Sequence, residues 1–263
     1  MSKFKYNYKN MIKEAQKGER SPLIVYGIIR LLIIICMILQ LIRGDLHNAF
    51  LCFWALVSLF IPIFVQDKFK IKLPSTLEII IFVFIFASEI LGEINNFYGI
   101  IPYWDTMLHT LNGFLAAGVG LSLVNILNDN SSNIKLSPLY ITVFAFCFSM
   151  TIGVLWEFIE FACDRVLNSD MQKDFITDKV SSVEFNDGHI TKVIDNIEYT
   201  ILYDKNDKEL YKIEGGYLDI GLIDTMEDLI VNFVGAITFC LLWYFDIRKI
   251  DGFLNKHFVP VKK

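Results

Sequence analysis

The stretch Pro22-Leu-Ile-Val-Tyr-Gly-Ile-Ile-Arg-Leu-Leu-Ile-Ile-Ile-Cys-Met-Ile-Leu-Gln-Leu-Ile42 decides the class of this protein. A helix that crosses the hydrocarbon core of a bilayer needs about 20 mostly apolar residues. Residues 22–42 supply them with one charged side chain, Arg30. Five further stretches meet the same requirement: 46–66, 75–97, 102–126, 138–163 and 222–246. The expected architecture is an all-α polytopic membrane protein with six transmembrane helices. The first stretch follows a polar arm with no small-residue cleavage site, so it is read as a retained span rather than a signal peptide.

The composition agrees. Of 263 residues, 54% are hydrophobic and 20% charged, and the net charge is −5. Mean hydropathy is +0.47. These values exclude a disordered chain, a collagen-like repeat, a disulfide-stapled small domain and a strongly basic nucleic-acid binder. The cysteines Cys36, Cys52, Cys147, Cys163 and Cys240 all fall within spans and form no CxxC pair, so they are read as small apolar side chains.

Lys and Arg set the orientation. The arm 1–21 carries Lys3, Lys5, Lys9, Lys13, Lys17 and Arg20. The second loop carries Lys68, Lys70 and Lys72, and the tail 247–263 carries Arg248, Lys249, Lys256, Lys262 and Lys263. The third loop, Asn95 to Tyr103, has none. Arm, second loop and tail are therefore expected on the cytoplasmic side of a bacterial plasma membrane. Tyr98, Tyr103 and Trp104 would join the outer aromatic belt, and Trp243 and Tyr244 the inner one. The expected segments are the arm 1–21, a hairpin 22–66, helices three to five over 75–164, an outer insert 165–221, the sixth span 222–246 and the tail.

Residues 165–221 hold seven basic and twelve acidic residues, so the insert alone carries a charge of −5. His189 to Ile194 and Glu198 to Tyr203 alternate with a period near two, and Asn186-Asp-Gly188 and Asp204-Lys-Asn-Asp207 are turn sequences. An antiparallel β unit of three or four strands is expected.

Ionisable groups inside spans are costly and mark function by default. Here Glu89 and Glu93 lie in the third span, Asp105 and His109 in the fourth, Glu157, Glu160 and Asp164 in the fifth, and Asp224, Glu227 and Asp228 in the sixth. The orientation puts all of them in the outer half of the bilayer. Glu89/Glu93, Asp105/His109 and Asp224/Asp228/Asn232 are spaced i, i+4, and Glu157/Glu160/Asp164 i, i+3, i+7, so each set shares a helix face. Nine like charges cannot all stay ionised without protons, water or cations among them. A divalent cation is the economical answer, with hard oxygen ligands suiting Mg²⁺, Mn²⁺ or Ca²⁺. One histidine excludes a three-histidine zinc site but leaves a mixed carboxylate–histidine zinc site open.

The expected metal ligands are Glu93, Asp105, His109, Glu157, Asp224 and Asp228, supported by Glu89, Asn112, Asp164 and Asn232. Glu160 is the expected general base. Trp104-Asp-Thr-Met-Leu-His-Thr-Leu-Asn-Gly113 also parallels Ile223-Asp-Thr-Met-Glu-Asp-Leu-Ile-Val-Asn232, which suggests two copies of one hairpin with a site at their interface.

Plainer readings stand beside these. Asp224-Thr-Met-Glu227 fits an N-cap pattern, and Asp105 is also placed to cap its helix. Ser75-Thr-Leu-Glu78 reads as a capping box, and Arg30 as a snorkelling side chain. Gly113, Gly118, Gly120 and Gly235 read as sites of close helix approach. His47, His189 and His257 carry no argued role.

Leu91-Gly-Glu-Ile-Asn-Asn-Phe-Tyr98, Trp104 to His109 with Asn112-Gly113, Trp156-Glu-Phe-Ile-Glu160 through Asp164, Met171-Gln172 and Gly221 to Ala236 resemble the YjdF-like family of bacterial inner-membrane proteins. The likeness covers roughly residues 75–245. In that family Met-Gln is soon followed by the Gly-Leu-x-Asp-Thr helix, whereas about 48 residues intervene here. The resemblance implies the membrane architecture and supplies no reaction, since the family has no established activity.

Three functions follow. The first is a metal-dependent hydrolase or transferase acting on a lipid or lipid-linked phosphate. The second is a cation- or proton-coupled transporter. The third is a metal-stabilised scaffold or sensor. The expected cofactor is Mg, Mn or Zn, and the expected partners are membrane lipids, with no nucleic acid. The apolar inner half of the spans favours an outward-facing site over a through-path.

Overall fold

Every expected apolar stretch forms helix in the computed structural model, which describes residues 20–130, 136–246 and 253–262. The helices are α1 (Ser21–Arg43), α2 (Leu46–Ser58), α3 (Ile61–Phe69), α4 (Ser75–Ile85), a π-helix (Phe86–Ile94), α5 (Phe97–Ile100), α6 (Trp104–Asn130), α7 (Pro138–Leu167), α8 (Leu222–Asp246) and α9 (Phe253–Phe258). The strands are β1 (Ile71–Lys72), β2 (Phe175–Thr177), β3 (Val180–Ser182), β4 (Lys192–Ile194), β5 (Tyr199–Tyr203), β6 (Glu209–Glu214), β7 (Tyr217–Asp219) and β8 (Val261–Lys262). The protein is mostly helical. Among the described residues five helices are long and apolar enough to cross a membrane: Ser21–Arg43, Leu46–Lys68, Trp104–Asn128, Pro138–Leu167 and Leu222–Asp246. The remaining stretch, 75–97, is divided between the 11 residues of α4 and the 9 of the π-helix.

The apolar surface fits that reading. Along α1, Ile24, Ile28, Leu31, Leu32, Ile35, Ile38, Leu39 and Ile42 are exposed. A soluble protein rarely shows so continuous an apolar surface, while hydrocarbon tails solvate it well.

The chain divides into two compact units. The first comprises residues 1–153 and 231–263. Residues 1–19 of the arm 1–21 lie outside the described residues, as do Arg248, Lys249 and Lys263 of the tail. One apolar cluster joins Tyr26, Ile29 and Ile33 of α1 to Cys52 and Ala55 of α2, and to Phe82, Ile85 and Ile90. A second joins Ala117, Leu121 and Val124 of α6 to Ile141 and Ala145 of α7, and to Phe239, Cys240 and Trp243 of α8.

Asp45 caps α2, its Oδ1 accepting the Asn48 N–H at 3.0 Å and its Oδ2 the Asn48 side-chain amide at 2.7 Å. At α4 the N-cap is Pro74, one residue before the expected Ser75, and Glu78 accepts from Gln66 Nε2 at 2.6 Å. Gln66 Oε1 in turn accepts the Leu73 N–H at 3.2 Å, so Glu78 helps anchor the chain that enters α4.

The tail is not a simple basic extension. Asp246 Oδ2 accepts the Leu254 N–H at 2.9 Å, and Leu254 and Val259 enter the second apolar cluster. The Phe258 ring packs edge-on to Phe114 at 5.4 Å. His257 Nδ1 meets Thr76 Oγ1 at 3.0 Å, and β8 pairs antiparallel with β1. Leu254 and Val259 are buried at 6% exposure each, and burying such apolar side chains favours packing of the tail over a free extension. Trp243 is likewise no belt residue: it is 2% exposed, inside the same cluster.

The second unit, Val154–Ile230, holds the end of α7, the β insert and the start of α8. Its strands are six rather than three or four, in three antiparallel pairs: β2 with β7, β3 with β4 and β5 with β6. The β5–β6 turn is built on Asp204, whose Oδ1 accepts the N–H groups of Asn206 at 2.8 Å and Lys208 at 2.9 Å. These bonds, the Lys208 amide first, hold the Asp204 carboxyl below its ordinary value. Such a contribution is present above the unfolded value and lost as pH falls through the folded one. Amide exchange at Asn206 and Lys208 is therefore expected to accelerate only below the ordinary 3.8. In Asp204→Ala it should already be fast at neutral pH. An acid midpoint above 3.8 would show that another group governs the turn.

Candidate metal centre

Two helices bring three acids together in the second unit. Glu157 and Glu160 lie three residues apart on one face of α7, and Asp228 lies in the second turn of α8. All three are buried, at 4%, 7% and 4% exposure. One ligand oxygen from each lies within 4.8 Å of the others. Glu157 Oε2, Glu160 Oε2 and Asp228 Oδ2 are each sealed from solvent. Glu160 is fixed further by Trp156, whose indole N–H donates to its Oε1 at 2.7 Å. Arg165, at the end of α7, lies over the Phe161 ring, 5.4 Å from its centroid.

Carboxylates this close in a buried place repel one another strongly. Their spacing could hold a single cation, and carboxylate oxygens are the hard ligands that Mg²⁺, Mn²⁺ or Ca²⁺ take.

The other expected site residues divide as follows. Asp224 is buried in the first turn of α8, and its Oδ2 accepts the Lys173 N–H at 2.8 Å. Asp164 accepts the N–H groups of Met171 at 2.7 Å and Gln172 at 2.9 Å. Glu227 is exposed.

In the first unit Asp105 and His109 pair along α6, Oδ1 to Nε2 at 3.5 Å, as their i, i+4 spacing implies. Glu93 is exposed and Glu89 half-buried on the π-helix. π-helical turns occur often at functional sites.

Asn112 and Asn232 form a polar contact between helices. Asn112 Nδ2 donates to Asn232 Oδ1 at 3.3 Å, and Asn232 is 1% exposed. Around them α6 and α8 approach closely. A Cβ on Gly113 would lie 2.1 Å from the Asn232 carbonyl oxygen, and one on Gly235 2.0 Å from that of Thr110. Ser149 Oγ donates to the Gly113 carbonyl at 2.7 Å, adding α7 to the crossing. Gly113 and Gly235 thus act as expected, and the two asparagines meet at the same crossing.

Sequence reasoning missed Trp156 as a partner of the acids. Its i, i+4 relation to Glu160 was the available signal.

A family model described as "Predicted membrane protein (DUF2238)" matches residues 24–249. An uncharacterized protein from Thermotoga maritima is 28% identical over 96 residues, covering 36% of this chain and 48% of that protein. The chain thus spans about half the length of that curated relative. No solved structure matches.

Proposed function

We propose, for a chain that belongs to the DUF2238 family of predicted membrane proteins, a divalent-cation-dependent hydrolase or transferase acting on a lipid or lipid-linked phosphate. The observation that carries this reading is the buried group Glu157, Glu160 and Asp228. Glu157 and Asp228 would hold Mg²⁺ or Mn²⁺, which would supply positive charge to the phosphate. Glu160, oriented by Trp156, would take the proton from water attacking phosphorus and return it to the lipid alcohol as the P–O bond to that alcohol breaks. A hard cation between carboxylates is a natural partner for the phosphate oxygens of a lipid head group.

The proposed setting is a bacterial plasma membrane crossed six times, with α4 and the π-helix forming the third span and both termini cytoplasmic. The Lys and Arg distribution supports this orientation. The β insert then lies on the outer side, and the acids lie buried in the outer half of the bilayer. The motifs quoted above make the chain similar to YjdF-like proteins within this setting.

The test uses purified full-length protein in detergent, supplied with lipid phosphates and Mn²⁺. Phosphate release is expected from the wild type, with a fall of at least about 100-fold in Glu160→Gln while Mn²⁺ stays bound. Cation flux into liposomes that Asp228→Asn abolishes, without phosphate release, would replace the enzyme by a transporter.

A further inference from the structure

The root of the β insert is built from carboxylates on both helices that carry the candidate cation ligands. Leaving α7, the chain turns back at Asp164. One Asp164 oxygen accepts the Met171 N–H at 2.7 Å and the Ser169 hydroxyl at 2.8 Å, and the other accepts the Gln172 N–H at 2.9 Å. The next amide, Lys173 N–H, donates to Asp224 Oδ2 on α8 at 2.8 Å. Between these bonds Gln172 Nε2 donates to Thr225 Oγ1 at 2.5 Å. Three consecutive amides are thus held by one carboxylate from α7 and one from α8.

Position links this strap to the acids. Asp164 lies four residues after Glu160 on α7, and Asp224 four residues before Asp228 on α8. All these residues belong to the same compact unit.

The strap leads into β2, whose ladder with β7 runs from Phe175↔Asp219 to Thr177↔Tyr217. Asp219 Oδ2 accepts the Ile223 N–H at 2.8 Å, tying the end of that ladder to the start of α8. Residues 178–216 therefore leave and re-enter through a closed two-stranded stem.

We infer that Asp164 and Asp224 are positioning residues, clamping Met171–Lys173 between α7 and α8 and so setting the spacing of Glu157 and Glu160 from Asp228. This rests on the cation reading proposed above. Groups that orient metal ligands without touching the ion commonly change affinity by 10–100-fold when removed.

The test combines Mn²⁺ titration with hydrogen exchange on purified full-length protein. Asp224→Ala is expected to weaken Mn²⁺ binding about 10–100-fold while keeping one ion per chain at saturation. Asp224→Asn keeps an acceptor for the Lys173 amide and should stay within about threefold of wild type. Gln172→Ala should weaken binding in the same direction, which keeps the test available if Asp224→Ala does not fold. Replacing 178–216 by Asn-Gly, a two-residue hairpin turn, should leave Mn²⁺ affinity unchanged because the clamp lies below the stem.

Loss of the ion in Asp224→Asn, as in Asp228→Asn, would make Asp224 a ligand and overturn the inference. Unchanged affinity in Asp224→Ala would overturn it too. Exchange at the amides of 171–173 in metal-free protein should accelerate in Asp164→Ala and Asp224→Ala, and unaltered exchange would remove the clamp itself. If the wild type binds no Mn²⁺, the cation reading fails, while exchange still judges the clamp.

Discussion

Gly235→Val is expected to unfold at a temperature roughly 10 °C or more below wild type in detergent, or to fail to accumulate. At Gly235 a Cβ would stand 2.0 Å from the Thr110 carbonyl oxygen and 3.0 Å from the Phe114 amide nitrogen. Both are backbone atoms of α6, so no rotamer change relieves the clash and α6 and α8 must separate. Overpacking of this kind costs about 3 kcal/mol or more, and each kcal/mol moves the midpoint of a chain this long by about 2–4 °C. Gly113→Val should behave alike, because its Cβ would meet the Asn232 carbonyl at 2.1 Å.

A double Gly113→Ala/Gly235→Ala variant should cost less than the sum of its parts, since the first Cβ already parts the helices for the second. Gly27→Ala is the control: nothing lies within 4 Å of its Cβ, and stability should hold or rise slightly. Thermal unfolding followed by circular dichroism reads all four. A Gly235→Val protein as stable as wild type would mean that the crossing of α6 and α8 is not as close as described.

Stabilisation by Mn²⁺ is the second large effect. A cation that binds only the folded chain stabilises it by about 2.7 kcal/mol when present at 100 times its dissociation constant. The wild-type unfolding midpoint should then rise by roughly 5–10 °C in Mn²⁺ and fall back on chelation. In Asp228→Asn the rise should vanish. The same variant removes one of three mutually repelling carboxylates, so without metal it should be at least as stable as wild type. That combination, no less stable without the ion and unresponsive to it, is what a purely structural role for Asp228 would not produce. Equal shifts in both proteins would place the ion elsewhere.

The spans were legible because hydrocarbon thickness imposes a length and a composition that local sequence must satisfy. The stretch 22–42 became Ser21–Arg43, and 222–246 became Leu222–Asp246. The π-helix was not legible in 75–97, because one extra residue per turn leaves the apolar composition untouched. In the β insert, alternation located β4 and β5, and the turn residues located Asp204. It missed the pairing of β2 with β7, which joins residues some forty apart and carries no hairpin signature. Trp243 and the tail were misread for one reason: amphipathic or charged character does not reveal whether a neighbouring helix offers a surface to bury against.

Within the candidate site, Glu157 and Glu160 were legible from spacing on one helix, and Asp228 from its depth in the next. Asp224 looked equivalent to Asp228, being four residues away on the same helix. Asp224 accepts the Lys173 amide, 51 residues distant in sequence, and no local pattern carries that information.

The most direct measurement is the number of Mn²⁺ ions held by the purified protein at equilibrium, read by elemental analysis after dialysis, in wild type and in Asp228→Asn. One ion per wild-type chain and none in the variant is the predicted result. An ion-free wild type, or equal occupancy in the two proteins, would contradict a cation held by Glu157 and Asp228.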